Sequence, residues 1–167
     1  FGKSTTIKIP VNYSLTEASG AFGKQAGTYV EHATAYYLGL AMKEAGLNLT
    51  NDLSELENNM NSAYDTMVQV ANKSDITKQV PDKLKAGEVL GRSILDEFRE
   101  LPDLGLTKFT IKQAGEQGEK PDVYVTVIKP DLTEIIGYSL KATTNTTDLT
   151  GANWALRAAA RFFGPEE

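Results

Sequence analysis

The chain has 167 residues and a formal net charge of -5 at pH 7, and its hydrophobic fraction of 41% is sufficient for the core of one compact domain. The acidic balance excludes a protein that holds nucleic acid mainly through a global positive field, so any such binding must be local. The chain has no cysteine and a single histidine, His32, which excludes disulfides and thiolate metal sites and argues against a zinc site or a histidine-based triad.

The sequence carries no targeting or membrane-spanning pattern. No apolar run is long enough to cross a bilayer, and the opening FGKSTTIKIP lacks the charged start and apolar stretch of a signal peptide. We therefore expect a soluble, cytoplasmic protein with no membrane partner. Because the sequence opens on Phe1 and ends on GPEE after a predicted helix, we expect residues 1–167 to be a single domain and a segment of a longer polypeptide, with further domains or a homo-oligomer as partners.

Helical periodicity dominates the amino-terminal part of the chain. Residues Ser4 to Ser14 alternate weakly around Pro10 and predict an edge strand, and the small-residue segment from Glu17 to Gly27 is interpreted as a flexible lead-in to a helix. Apolar residues at helical spacing then predict three helices, at about Thr28 to Ala45, Leu53 to Asn72 and Lys83 to Leu101. Pro81 is interpreted as a break before the third helix.

The carboxy-terminal part changes to a period of two. Three alternating runs joined by short links predict an antiparallel meander over Leu106 to Ala114, Asp122 to Ile128 and Glu134 to Ala142. The alanine-rich segment Ala152 to Phe163 predicts a final helix. This order of elements predicts an α+β fold, in which helices pack on a small central mixed sheet built on the three-stranded antiparallel meander.

Two charged residues fall at the ends of neighbouring predicted strands. Asp122 opens the second strand of the meander and Lys141 closes the third, and an antiparallel pair places these positions side by side. Alternation puts Ser139 on the same face as Lys141. Singly, an aspartate after Pro121 is typical of a turn, and a lysine at a strand end is typically solvated. Together, a carboxylate that binds a hard cation and an ammonium that orients water or stabilises developing charge are suited to phosphodiester hydrolysis.

The sequence around these residues resembles the core of the PD-(D/E)XK nuclease superfamily. The shared features are Pro121 and Asp122, the apolar strand and turn that follow, and IIGYSLK, in the form where Ser139 replaces the second acidic residue. The resemblance covers Lys108 to about Phe163. It implies a restriction-endonuclease-like fold and an endonuclease or exonuclease that depends on Mg²⁺ or Mn²⁺, with DNA favoured over RNA as the substrate.

The resemblance also implies a role for each matching residue. Asp122 would bind the metal, Lys141 would position the attacking water, and Ser139 would hydrogen-bond a metal water or a phosphate oxygen. Because Ser139 is neutral where an acid would complete the motif, the alternative is a non-catalytic nucleic-acid-binding or structural module on an eroded nuclease scaffold. A third interpretation is a small-molecule enzyme that uses Lys141 as a base or imine former.

A second metal ligand has several candidates. In the superfamily a glutamate from a preceding helix often adds a metal contact, and the match here is Glu31, in an otherwise apolar helix where an unpaired carboxylate would be destabilising. An exposed helix position would explain Glu31 equally well. Glu88 and Glu97 on the third predicted helix are alternatives, and Gln113, at the end of the first meander strand, can also face the site.

Two arginines are candidates for binding nucleic acid. Arg157 and Arg161 lie one helical turn apart on the predicted final helix, where they can contact phosphates. A solvated helix face explains the same spacing equally well.

Overall fold

The computed structural model describes residues 3–10, 20–113, 122–138, 140 and 148–155, and for 3–10 and 148–155 it describes the backbone alone. Over these residues the chain forms helices and strands, and all three α-helices precede the strands of the meander. In chain order they are β1 Lys3–Pro10, α1 Gly20–Glu44, β2 Asn48–Leu49, α2 Leu53–Gln69, α3 Val80–Leu95, β3 Lys108–Gln113, β4 Val123–Lys129, β5 Leu132–Tyr138 and β6 Asp148–Ala155.

The central sheet has the strand order β2-β3-β4-β5. β2 is parallel to β3, whereas β3, β4 and β5 form an antiparallel meander, so the sheet is mixed. The register pairs Gln113 with Val123, and Val123 with Tyr138. These three residues mark the end of the sheet at which β4 begins, directly after Asp122.

One face of the sheet packs against the helices. Alternate residues of the meander on this face are at most 2% exposed: Phe109, Ile111, Val123, Val125, Val127, Ile136 and Tyr138. They form one core cluster with the apolar sides of the three helices, which confirms an α+β fold with helices on a small mixed sheet. Among the described helices, none has both the length and the apolar character needed to cross a membrane.

α1 is the central helix, because it contacts α2, α3 and the sheet. It begins at Gly20 rather than at Thr28, so the flexible lead-in predicted for Glu17 to Gly27 is wrong from Gly20 onward. Phe22 and Ala26 are buried and extend the apolar side of the helix toward its start. Tertiary packing therefore stabilises this glycine-rich sequence as helix, against its intrinsic preference.

Local signals set the other helix boundaries. Gly46, with a φ of 81°, follows the end of α1, and its N–H donates to the carbonyl oxygen of Lys43 at 3.1 Å. Asp52 caps α2 by accepting a hydrogen bond from the N–H of Ser54 at 3.0 Å. Pro81 lies in the first turn of α3, which directly continues the π-helical turn Asp75–Gln79, so the helical backbone runs through Pro81 and the predicted break at this residue is wrong.

Two glycines of α3 allow it to lie directly against α1. A Cβ atom at Gly87 would overlap the Cβ of Ala33. A Cβ atom at Gly91 would lie 2.7 Å from the backbone nitrogen of Leu38 and 2.8 Å from the carbonyl oxygen of Thr34. Because backbone atoms cannot rotate away, a larger residue at either position must separate the two helices.

β1 and β6 form a separate antiparallel ribbon, in which Pro10 lies opposite Asp148. The strand predicted for Ser4 to Ser14 is confirmed as far as Pro10, and it pairs with β6 and not with the meander. The helix predicted for Ala152 to Phe163 is wrong over 152–155, which belong to β6; the remainder lies outside the described residues. The helix propensity of alanine is a weak preference that strand pairing overrides.

We expect Gly91→Ala to destabilise the fold by about 1 to 3 kcal/mol, because the added methyl group meets the backbone of α1. The matched control is Gly27→Ala, at a position of α1 where a Cβ atom meets nothing within 4 Å. This variant should be more stable than the parent by about 0.5 to 1 kcal/mol, because alanine favours helix over glycine. Urea denaturation measures both changes, and equal stability of Gly91→Ala and the parent would contradict the close approach of α1 and α3.

Candidate functional site

Three polar side chains converge where α1 crosses the end of the sheet. The Nε2 of Gln113, at the end of β3, donates a hydrogen bond to the Oε1 of Glu31 on α1 at 2.7 Å. The carboxyl groups of Glu31 and Asp122 lie close enough to interact through both charge and a hydrogen bond. Residues far apart in the sequence therefore form one polar cluster at the margin of an apolar core.

Asp122 is fixed by the backbone of the neighbouring strand. Its N–H donates to the carbonyl oxygen of Tyr138 at 2.8 Å, and its Oδ2 accepts the N–H of Leu140 at 2.8 Å. The β4–β5 hairpin thus continues past Val123, and the carboxylate is oriented by main-chain atoms. In the sequence, Ser139 stands between these two partners and Lys141 follows them; both Ser139 and Lys141 lie outside the described residues.

Burial and like charge act together on Glu31. Burial, and then the negative charge of Asp122, raise the pKa of Glu31 from 4.5 to about 7, while the hydrogen bond from Gln113 opposes this rise. The charged form of Glu31 is therefore disfavoured, and this group ionises only close to neutral pH. Within the part of the chain that the structure describes, the groups acting on Glu31 are Asp122 and Gln113, and neither is positively charged.

The position of Glu31 on α1 explains its burial. Val30 and Ala33, on either side of it along the helix, are both buried, and the Glu31 side chain is itself half-buried, as the sequence predicts. His32 is adjacent and also half-buried, and burial lowers its pKa below the ordinary value of 6.5. His32 is therefore uncharged at neutral pH and does not offset the two carboxylates.

The alternative glutamates lie in other surroundings. Glu88 contacts Arg92 at 3.5 Å, one helical turn away on α3, and both side chains are at least 40% exposed. Glu97 is half-buried in the short turn after α3, where burial and the charge of Asp96 raise its pKa. Among the three candidates, Glu31 is therefore the one whose described interactions include Asp122.

The donor set suits a hard divalent cation. The two carboxylates offer oxygen atoms of the type that Mg²⁺ and Mn²⁺ prefer, and Mg²⁺ is commonly held by one or two carboxylates with water in its other positions. Within the described residues no group of three or more histidine, cysteine or acidic side chains is assembled. The Glu31–Asp122 pair therefore fits a cation of this kind and does not provide a closed site of protein ligands.

The sequence underestimates Gln113. β3 presents Phe109 and Ile111 to the core, and the same alternation carries Gln113 to the same face at the sheet end. The sequence shows this alternation, so it already indicates that Gln113 lies on the same face of β3 as the core residues Phe109 and Ile111. The Glu31 contact is not visible in it, because it depends on how α1 crosses the sheet.

Comparisons of the chain with protein-family models, with curated proteins and with solved structures find no match. The resemblance to PD-(D/E)XK nucleases therefore rests on the residues quoted above.

We expect Glu31→Gln to stabilise the metal-free protein at about pH 8 and to change its stability much less at about pH 5. The folded protein holds the Glu31 proton more tightly than the unfolded chain does. Wild-type stability is therefore lost as the pH rises from the unfolded pKa of 4.5 through the folded pKa of about 7. The glutamine removes this ionisation and can still accept the hydrogen bond from Gln113.

Thermal unfolding in the presence of a chelator measures this effect at each pH. The matched control is Glu100→Gln, which makes the same change at an exposed residue. The same gain in melting temperature for Glu31→Gln at both pH values would contradict repulsion between Glu31 and Asp122.

Proposed function

We propose that this protein is a metal-dependent phosphodiester hydrolase, a nuclease that acts on DNA in preference to RNA. The observation that carries the proposal is the convergence of Glu31 and Asp122, two carboxylates on separate elements that interact at one end of the sheet. Such a pair is unfavourable by itself and becomes favourable when a cation binds between the carboxylates. DNA is preferred on the resemblance of the Asp122 to Lys141 segment to PD-(D/E)XK nucleases.

Asp122 and Glu31 are the residues that would hold Mg²⁺ or Mn²⁺. The bound cation would neutralise charge on the phosphate and help to generate a hydroxide. Asp122 contributes an oxygen atom whose direction is set by the N–H of Leu140. Glu31 contributes a carboxylate from α1, so the two ligands belong to elements that the core holds in fixed relation.

Lys141 and Ser139 complete the proposed mechanism. Lys141 directly follows Leu140 in the sequence, and the N–H of Leu140 donates to the carboxylate of Asp122. The lysine is therefore one residue away from this backbone contact. Its ammonium would orient the attacking water and stabilise negative charge that develops on the phosphate. Ser139 would donate a hydrogen bond to a phosphate oxygen, a role for which a neutral hydroxyl is suited.

The acidic balance of the chain requires a local surface for the nucleic acid. With a net charge of -5, long-range attraction to phosphate is weak, and affinity must come from groups close to the scissile bond or from another subunit or domain. Arg157 and Arg161 are our candidates for this contact, and both lie outside the described residues.

The second candidate function is a non-catalytic nucleic-acid-binding or structural module that retains the nuclease scaffold. Ser139 favours it, because a serine at this position leaves the site one acid short of the complete motif. The two candidates share the same scaffold and differ only in whether they hydrolyse nucleic acid, so a cleavage assay distinguishes them.

We expect Mn²⁺ or Mg²⁺ to raise the melting temperature of the parent protein, because a cation that binds only the folded state stabilises it. The gain is about 2.7 kcal/mol at a free concentration of about 100 times the dissociation constant. Glu31→Gln and Asp122→Asn should each lose most of this gain, while Glu100→Gln keeps it. The asparagine can still accept the hydrogen bond from the N–H of Leu140, so the hairpin contact is kept. A smaller cation-dependent gain in Asp122→Asn therefore reflects the missing negative charge. A parent protein that gains no stability from either cation would remove the metal site.

We expect Asp122→Asn and Lys141→Gln to lower the initial rate of cleavage by about 100-fold or more, the scale of a lost electrostatic or general-base contribution. The assay uses plasmid, single-stranded DNA and RNA, with Mg²⁺ or Mn²⁺. Lys141→Gln should keep the cation-dependent gain in melting temperature, which separates its role from metal binding.

The outcomes of this assay distinguish the candidates. Cation binding without cleavage of any substrate supports the non-catalytic module. Equal rates for Lys141→Gln and the parent remove the lysine from the mechanism. Turnover that persists under chelation supports the metal-independent enzyme that uses Lys141.

A further inference from the structure

Gln113 connects the sheet to the helix that carries the candidate ligand. Its backbone pairs with Val123, the residue after Asp122, and its side chain crosses to α1, where Nε2 lies 2.7 Å from Oε1 of Glu31. Gln113 is half-buried and lies at the end of the sheet face that packs against α1. Gln113 therefore contacts the strand that begins beside Asp122 through its backbone, and the carboxylate of Glu31 through its side chain.

The direction of this hydrogen bond follows from the ionised form of Glu31. An ionised carboxylate only accepts hydrogen bonds, so the amide presents its Nε2 to Glu31, because the reverse orientation would place two oxygen atoms 2.7 Å apart. The Oε1 of Glu31 is thereby engaged. Asp122 is held in the same way, since its Oδ2 accepts the N–H of Leu140. Each carboxylate is therefore anchored through one oxygen by an N–H donor, and a cation would bind where the two carboxyl groups now interact with each other.

Without such an anchor, an ionised Glu31 would turn away from Asp122. Its side chain has several rotatable bonds, and both the repulsion from Asp122 and the gain in hydration favour a rotamer directed at solvent. The hydrogen bond from Gln113 opposes this movement. It holds Glu31 toward the sheet in the ionised form that a cation needs.

We propose that Gln113 is a positioning residue of the cation site, which holds the Glu31 carboxylate against its repulsion from Asp122 so that both acids are directed at one divalent ion. This inference rests on the proposed function for the presence of the cation. It does not depend on which substrate is cut, or on whether any substrate is cut. Gln113 acts through Glu31 and is not itself assigned to the chemistry.

The first test is the affinity of the full chain for Mn²⁺ in Gln113→Met, which preserves the length of the side chain and removes the donor. We expect the dissociation constant to rise by about 10- to 100-fold, the range typical when the hydrogen-bond partner of a metal ligand is removed. Saturating Mn²⁺ should restore the full gain in melting temperature, which a damaged fold would not allow. The matched control is Gln69→Met, which makes the same change at an exposed position of α2 and should leave the affinity unchanged.

The second test is spectroscopic and does not depend on activity. The side-chain amide resonance of Gln113, identified as the one that disappears in Gln113→Met, should shift on addition of Mg²⁺. The shift should saturate at the same concentration as the thermal stabilisation. In Glu31→Gln the Mg²⁺-dependent shift should be lost, because the amide then no longer contacts a metal ligand.

The outcomes separate this inference from the proposed function. A parent that binds neither cation overturns the cation site and the role of Gln113 with it. A parent that binds Mn²⁺ and a Gln113→Met variant that binds it equally tightly overturn the role of Gln113 alone. A weakened Gln113→Met variant supports that role, even if neither protein cleaves nucleic acid.

Discussion

The contact between α1 and α3 fixes the geometry on which the candidate site depends. Gly87 and Gly91 bring the two helix backbones together, so α1 cannot shift away from the sheet without opening the core. Glu31 lies on α1, and its partners Gln113 and Asp122 lie at the sheet end. The packing of α1 in the apolar core therefore determines how close the Glu31 carboxylate lies to the Asp122 carboxylate.

A carboxylate pair at the edge of a core needs a compensating charge. The β4–β5 hairpin shows how this protein meets the need elsewhere: Glu134 is fully buried, and the ammonium of Lys129 lies 2.9 Å from its Oε2. At the opposite end of the same hairpin, Asp122 interacts with a second acid. An acid whose pKa is raised by burial and by a neighbouring carboxylate, as that of Glu31 is, is typical of functional sites.

The sequence predicts the parts of the structure that depend on local pattern. The meander, the three helices and the half-buried Glu31 follow from apolar spacing, and the position of Asp122 at the start of a strand follows from the change of period. The start of α1 and the path of residues 152–155 depend on long-range contacts, with the core and with β1, that override local propensity. The hydrogen bonds that Gln113 and the N–H of Leu140 donate also depend on tertiary contacts, because no spacing in the sequence determines them.

In the proposed site, the division of the ligands between a helix and a hairpin would link cation binding to stability. Because Ser139 is neutral, the hairpin would supply one acid, Asp122, and α1 would supply the other, Glu31. A cation held by both would cross-link α1 to the sheet at the same place where Gln113 already connects them. The apolar contact with α3 and the Gln113 hydrogen bond thus restrain the same displacement of α1 that the proposed cation would restrain. Their effects on stability should be coupled, since each limits a motion that the others also oppose.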